Sequence, residues 1–349
     1  MSEPVLILIE GKVGRIRLNR PQALHALTEP MCRAMIDALV AWRGDPAVEL
    51  VLIDHAEGRG FCAGGDVRAV AESAAGDGVA ARAFFRAEYQ LNHLLFTFAK
   101  PVVAVMDGVV MGGGVGLALP ARYRIATGRT LFAMPEATIG LFPDVGGGWY
   151  LSRLPGRIGA YLALTAARLD GAEVTALGLA THHVAAEAVE RVKADLIARP
   201  REAQAVLDAA AADPGGAAIL SHRDAIDRLF ASEELEGVVA ALEADGDDWA
   251  RETLATLRAK SPQSGKIALR LLRQGATHTD FADEMRVEYG VMCHVSMRHD
   301  FVEGVRALLI DRDNAPRWNP ATPEDVTDNM LDTIFAPLPA DEAWEPVRA

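Results

Sequence analysis

Between residues 49 and 154 the chain repeats one local pattern: a short apolar run, a glycine-bearing loop, then a segment whose apolar side chains recur at helical spacing. Glu49–Asp54 reads as a strand, Glu57–Gly65 as a loop, and Asp66 as the cap of the next helix. Ala80–Ala99 carries Phe84, Phe85, Leu91, Leu94, Leu95 and Phe98 in a helical pattern, and Lys100–Pro101 ends it ahead of the strand Val102–Met106. A second round follows, in which Gly112–Gly114 opens a short apolar helix, Arg122–Ala126 and Thr130–Ala133 are strands, and Val145–Leu154 begins another helix. Apolar strands have to be covered, and alternation with helices covers them on both faces of a largely parallel sheet. The repetition therefore predicts an α/β domain with its functional groups in loops at strand ends.

Upstream, Val5–Ile9 and Arg15–Asn19 read as strands around the turn Glu10–Gly11–Lys12. Thr28 then caps a helix with Met31, Met35, Leu39 and Trp42 on one face, and Gly44–Asp45–Pro46 stops it. From about Glu187 nearly everything reads as helix, broken by turns such as Asp213–Pro214–Gly215–Gly216 and Ser261–Pro262. A boundary near Pro200 divides an α/β core, residues 1–200, from a helical C-terminal region, residues 201–349, whose end from Asn319 is rich in Pro, Asp and Glu and either hugs the surface or frays. A chain of 349 residues builds a core of this size without disulfides or metals.

Charge narrows the function. With a net charge of -13 and no Lys/Arg-rich run, nucleic acid and anionic membrane surfaces are excluded as partners. An anionic ligand would be held locally, by backbone N–H groups, helix N-termini or a few placed cations. The apolar stretch from Pro101 to Ala121 is interrupted by Asp107 and by the glycines within Gly112–Gly116, which disqualifies it as a membrane span. Cys32, Cys62 and Cys293 have no CxxC spacing and are an odd number, so they read as buried apolar residues in a reducing compartment. The start Met1–Ser2–Glu3–Pro4 lacks a basic segment ahead of an apolar one, so no secretory signal is expected and the default is a cytoplasmic enzyme.

Three segments carry candidate chemistry. In Gly60–Phe61–Cys62–Ala63–Gly64–Gly65–Asp66 a strand enters a helix through small residues, which either exposes an amide donor at Gly65 or is a plain helix-entry turn. Met111–Gly112–Gly113–Gly114–Val115–Gly116 aims amides and a positive helix end at one spot, or packs glycines closely; its spacing is not that of a dinucleotide fingerprint. Met134 to Gly148 embeds Glu136 and Asp144 among Ile139, Leu141, Phe142 and Val145 on an irregular backbone. Charges are costly in apolar surroundings, so such a pair has a partner or a task, unless the loop lies on the surface with Asp144 capping the next helix. The histidines His25, His55, His93, His182 and His183 have no metal-ligand spacing, and no metal is expected.

The order FCAGGD (61–66), MGGG (111–114) and MPEATIGLFPDVGGG (134–148) resembles the crotonase (enoyl-CoA hydratase/isomerase) superfamily, and within it the 3-hydroxyisobutyryl-CoA hydrolase branch. The likeness extends from about Arg15 to Val184, taking in LNRPQALHAL (18–27) and LTAARLDGAEVTALGLATHHV (164–184). Weaker echoes occur at SPQSGKIALR (261–270) and FVEGVRALLIDRDNAPRW (301–318).

This resemblance implies an α/β crotonase-like fold, a spiral of ββα units, with a helical C-terminal region, and an acyl-CoA thioester as substrate. The Gly65 and Gly113 amides are then the oxyanion hole, Glu136 and Asp144 the catalytic pair, and Glu88, Gly113, Glu136 and Asp144 the substrate contacts. Glu136 would attack the thioester to give a mixed anhydride or act as base on water, while Asp144 orients the water or the substrate hydroxyl. Glu88 would bind a 3-hydroxyl; from its helix alone it is equally a solvated glutamate. Resembling hydratases have a second acid where this chain has Gly116, and a glycine where it has Asp144, which favours hydrolysis of a 3-hydroxyacyl-CoA, a step of valine breakdown. The alternatives are an enoyl-CoA hydratase or isomerase that uses Glu136 alone, and a catalytically silent acyl-CoA binder. No cofactor beyond the CoA of the substrate is implied, and members of the superfamily associate as trimers or trimer pairs.

Overall fold

The computed structural model describes residues 3–347. Its strands are β1 (Val5–Glu10), β2 (Val13–Leu18), β3 (Leu50–His55), β4 (Gly60–Cys62), β5 (Val102–Met106), β6 (Val109–Met111), β7 (Tyr123–Ala126), β8 (Leu131–Ala133), β9 (Leu169–Asp170) and β10 (His182–His183). The helices of the first half are α1 (Glu29–Arg43), α2 (Val67–Ala74), α3 (Val79–Phe96), α4 (Gly113–Ala118), α5 (Gly147–Leu151), α6 (Ile158–Thr165) and α7 (Gly171–Ala176). Those that follow are α8 (Val189–Ala198), α9 (Ala203–Ala210), α10 (Arg223–Leu229), α11 (Leu235–Asp245), α12 (Asp248–Arg258), α13 (Pro262–Gly275), α14 (Phe281–Val295), α15 (His299–Val305) and α16 (Asp328–Ile334).

One sheet has the order β1-β2-β3-β5-β7-β10 and the other β4-β6-β8-β9. Successive strands are dealt alternately between them: β3 then β4, β5 then β6, β7 then β8, each pair followed by a helix or helical turn. This is the spiral of ββα units that the resemblance implies. Within the sheets every pairing is parallel except β1 with β2 and β8 with β9. The central strand β5 is buried along its whole length and β3 as far as Asp54, which is why both read as unbroken apolar runs rather than as alternating ones.

Of the second sheet only β8 was legible, as the strand Thr130–Ala133. Residues 57–65 read as one loop, yet Gly60–Cys62 is β4, and Val109–Met111, unassigned from sequence, is β6 beside it. Both have only three residues, too few to show a period of two. Their placement decides the site: β4, β6 and β8 are parallel neighbours. Adjacent strands lie about 4.8 Å apart, so the segments leaving their carboxyl ends, at 63–66, 112–113 and 134–136, emerge side by side. Those are the three candidate segments.

Helices cover both faces. The outer face of the six-stranded sheet packs Leu50, Leu52, Val103 and Val105 against Val192, Leu196, Val206 and Leu207 of α8 and α9. Asp54 is buried there, and it accepts from Arg15 Nη2 at 2.7 Å and Lys193 Nζ at 3.0 Å, which ties α8 to β2 and β3 by a compensated charge cluster. The main core, between the sheets and the remaining helices, continues from Val5 to Trp344 without a break and includes residues of α10 through α16. Cys32, Cys62 and Cys293 are buried, unpaired thiols.

Candidate active site

The 63–66 segment is stitched to residues 24–27 by backbone hydrogen bonds: Ala63 N–H to Leu24 O at 3.0 Å, Leu27 N–H to Gly64 O at 2.8 Å, and Asp66 N–H to Leu27 O at 2.8 Å. The intervening Gly65 amide takes no part in that ladder and donates to no other protein group among the described residues; the same holds for Gly113 at the first turn of α4. Two uncommitted donors on two fixed backbones are thus placed at adjacent strand ends. Asp66 stands at the N-terminus of α2, but its side chain does not cap the helix; it pairs with Arg20 Nη2 at 3.1 Å instead.

The sequence left Glu136 and Asp144 between a surface loop and a buried task. They are only 6% and 5% exposed, and Glu88 is 2% exposed, so the surface alternatives for all three fall away. Glu136 heads a single helical turn, Glu136–Ile139, directly after β8, and its Oε1 lies 3.1 Å from where a Cβ on Gly112 would sit. Glu88 comes from α3 and reaches over the glycine run, with Oε1 only 2.1 Å from a hypothetical Cβ on Gly113. Asp144 lies in the turn before α5; its Oδ2 accepts the Tyr89 hydroxyl at 2.7 Å.

That turn is held from below by α14. Glu288 accepts from the amides of Gly146 at 2.7 Å and Gly148 at 3.1 Å, which fixes the backbone that follows Asp144, where Val145 takes the left-handed conformation at φ 52°. Burial drives the Glu288 carboxyl well above the usual carboxylate range, with the charges of Glu284 and Asp144 adding to it.

Gly65, Gly113, Glu88, Glu136 and Asp144 all line one cavity of about 170 Å³, together with Phe84, Leu141, Leu308 and Leu309. Among the described residues no Lys, Arg or His is paired with Glu88, Glu136 or Asp144, and Glu88 Oε1 and Glu136 Oε2 have no hydrogen-bond partner. The electrostatics follow from that arrangement. Burial raises Glu88 and Glu136 well above the usual carboxylate range, and the negative charge of Asp144 raises both further. Asp144 is pushed up to about 6 by burial, with the Tyr89 hydrogen bond acting in the opposite direction. The cluster is an apolar pocket whose three carboxyls oppose one another's ionisation.

At Gly116 a Cβ would stand 2.7 Å from both Asn92 Nδ2 and Val145 Cβ, so there is no room for an acidic side chain at this position. Asn92, one turn beyond Glu88, fills that space fully buried, and both its polar atoms are unpartnered.

All five residues nominated from sequence therefore meet. Missed were Tyr89, Asn92, Glu288 and the Leu308–Leu309 wall. Tyr89 reads as part of the apolar face of α3, and Glu288 lies on a helix 144 residues downstream, where nothing local marks its target. The FVEGVRALLIDRDNAPRW echo was the only sequence signal for Leu308 and Leu309. Among the described residues no group of three His, Cys, Asp or Glu is arranged to hold a metal ion, and no helix is long and apolar enough to cross a membrane.

Residues 13–335 match the enoyl-CoA hydratase/isomerase family. Curated relatives include the mitochondrial 3-hydroxyisobutyryl-CoA hydrolases of Xenopus tropicalis, 42% identical over 95% of this chain and 89% of that protein, and of Homo sapiens, 41% identical over 97% and 89%. A probable 3-hydroxyisobutyryl-CoA hydrolase 3 of Arabidopsis thaliana is 40% identical over 100% of this chain and 96% of its own length. Among solved structures, a carnitinyl-CoA dehydratase from Mycobacterium thermoresistibile superposes with a TM-score of 0.93 at 39% identity, covering 97% of this chain and 98% of that one. An enoyl-CoA hydratase from Rhodobacter sphaeroides gives 0.90 at 39% identity, covering 98% and 100%. The expected cytoplasmic placement is corrected by these relatives, since the frog and human proteins are named as mitochondrial.

Proposed function

Because this chain belongs to the enoyl-CoA hydratase/isomerase (crotonase) family, we propose that it hydrolyses a short-chain 3-hydroxyacyl-CoA thioester, 3-hydroxyisobutyryl-CoA foremost, to the free acid and CoA, as in valine degradation. One observation carries this reading: two uncommitted amides and an uncompensated carboxyl cluster face one apolar cavity, while the position after the glycine run has no side chain.

Attack on a thioester drives negative charge onto the carbonyl oxygen. Among the described residues no cation is paired with the cluster, so the Gly65 and Gly113 amides are the groups that receive this charge, and each such donor contributes about 2.7–4 kcal/mol to the transition state. Glu136 and Asp144 divide the remaining work. The ionised member attacks the carbonyl carbon or takes a proton from water, and the protonated member donates to the departing sulfur or holds the water. Glu88, over Gly113, binds the 3-hydroxyl of the acyl group. The thioester is electrophilic by itself, so the reaction calls for no separate cofactor. Leu308 and Leu309 close the cavity from the same chain, so a trimer or trimer pair is not needed to complete it.

The names of the solved neighbours support a second reading, hydration of an enoyl-CoA. Hydration by two acids would need one at position 116, where Asn92 and Val145 leave no space. The two readings separate in one assay. Thiol release from 3-hydroxyisobutyryl-CoA, followed with a thiol reagent, reports hydrolysis; loss of enoyl-thioester absorbance without thiol release reports hydration; a silent binder gives neither. Glu136→Gln keeps size and removes acid–base capacity, and near-normal thiol release from this variant would discard the mechanism.

A further inference from the structure

We propose that a second cavity, divided from the reaction cavity by Pro135 and Leu308, is a carboxylate-binding site that takes up the free acid once the thioester is cleaved. The source of the ligand rests on the hydrolase reading; the chemistry of the site rests on its own side chains.

The cavity has about 510 Å³ and lies between the ends of β6 and β8, α6 and α12. Two cations line it, Arg168 and Lys260. Among the described residues the Arg168 side chain has no hydrogen bond or ion pair, and Lys260 Nζ has one partner, the Thr138 hydroxyl at 2.8 Å, with no carboxylate. Elsewhere the chain satisfies its sheltered lysines: Lys193 and Lys266 are each held by carboxylates, and Lys100 by two backbone carbonyls. With 48 acidic residues against 35 basic, acids are not in short supply, so two cations left unneutralised in one cavity point to an anion from outside the chain. Glu252, at the exposed rim, is the single acid among the lining residues and is paired with neither. Burial holds the Lys260 amine below its usual range, and the positive charge of Arg168 lowers it further, so the two cations sense each other.

Its position relative to the reaction is fixed by the same contacts. Thr138 lies on the helical turn that Glu136 heads, so Lys260 stands directly behind the reacting groups, and Pro135 and Leu308 present one side to each cavity. Hydrolysis converts an uncharged thioester carbonyl into a thiol and a carboxylic acid, and the acid loses its proton to solvent at neutral pH. The new anion then finds itself beside Glu88, Glu136 and Asp144, which repel it, while Arg168 and Lys260 beyond a partition of two side chains attract it. Acid and CoA are thereby drawn apart, which opposes their recombination.

The test is calorimetric titration of the full chain with sodium 3-hydroxyisobutyrate, with the uncharged 3-hydroxyisobutyramide as the control. The acid binds the parent and the amide does not. Arg168→Gln, at an exposed position that the fold does not depend on, weakens acid binding about tenfold, the loss of one charge-assisted hydrogen bond, and Arg168→Lys restores most of it. Adding Lys260→Met to Arg168→Gln removes the remaining affinity. A non-hydrolysable thioether analogue of 3-hydroxyisobutyryl-CoA fills the reaction cavity and leaves the second one free, so acid binding persists when the analogue is saturating. A parent that does not bind the acid, an amide that binds equally well, affinity unchanged in Arg168→Gln, or acid displaced by the analogue each overturns the proposal. Thiol release keeps the two readings apart: a parent that releases no thiol but binds the acid through Arg168 loses the hydrolase reading and keeps the site, whereas a parent that releases thiol and binds the acid without regard to position 168 loses the site alone.

Discussion

Gly113→Ala is the sharpest test of the amide geometry. The added Cβ would lie 2.1 Å from Glu88 Oε1 and 3.2 Å from Leu27 Cδ1. The first contact is more than about 1 Å inside van der Waals distance, so either Glu88 or the amide-bearing backbone must move by that amount. Gly113 has no positive φ, so the methyl introduces no backbone strain and the effect is displacement alone. Both neighbours are buried, and overpacking of this kind costs about 1–3 kcal/mol of stability. A displacement of about 1 Å at a positioned group costs about 100-fold in rate, comparable with losing much of one oxyanion donor. The assay is thiol release from 3-hydroxyisobutyryl-CoA over a substrate range, paired with urea unfolding to confirm that the variant is folded. The expected result is a fall of about two orders of magnitude in kcat with the fold retained. A folded variant with kcat within about threefold of the parent would refute the placement of position 113 at the carbonyl oxygen.

Asp144→Asn should trade activity for stability. The folded-state value is raised from 3.8 to about 6, so Asp144 favours folding below about pH 4, and that contribution is lost as pH rises through about 6. The Asn variant does not incur this loss and should be more stable than the parent by about 2–3 kcal/mol at pH 8, a gain that shrinks by about 1 kcal/mol at pH 5; urea titrations at the two pH values check it, and a gain that does not depend on pH contradicts it. Gly116→Glu should not create a hydratase: its Cβ already meets Asn92 and Val145 at 2.7 Å, so unfolding moves to lower urea by about 1–3 kcal/mol and no enoyl-CoA hydration appears. A well-folded variant that hydrates crotonyl-CoA would show that position 116 is roomier than the packing implies.

Much of this was legible in the sequence, for identifiable reasons. The antiparallel pair β1–β2, the long helix α3 and the strand Val102–Met106 were read to within a few residues, because each is long enough for its periodicity to register or is bounded by a turn or proline. Gly65, Gly113, Glu136 and Asp144 lay in glycine loops or among apolar neighbours, patterns that survive without coordinates, whereas Glu88 was nominated by the family resemblance alone. The three-residue strands β4 and β6 lie below that threshold, so the second sheet, which brings the loops together, was legible only at β8. Tyr89, Asn92 and Glu288 were missed for a different reason. Tyr89 and Asn92 lie on α3 with the residues they touch on other elements, and Glu288 reaches back from α14, so their roles depend on contacts between segments 24 to 142 residues apart. Asp66 shows a limit of local rules: a correct cap residue at a helix start found a better partner in Arg20.

The wall supplied by Leu308 and Leu309 has a consequence for biosynthesis. Glu88, Gly113, Glu136 and Asp144 leave the ribosome more than 150 residues before the leucines that shelter them. A nascent chain halted at α13 would display acidic groups in open water, where carboxyls are not held above their ordinary range and amides compete with solvent for an anion. Hydrolytic competence would then arise only near the end of translation, when the final helices swing over the mouth of the site, so a polypeptide cut short leaves cellular thioesters intact.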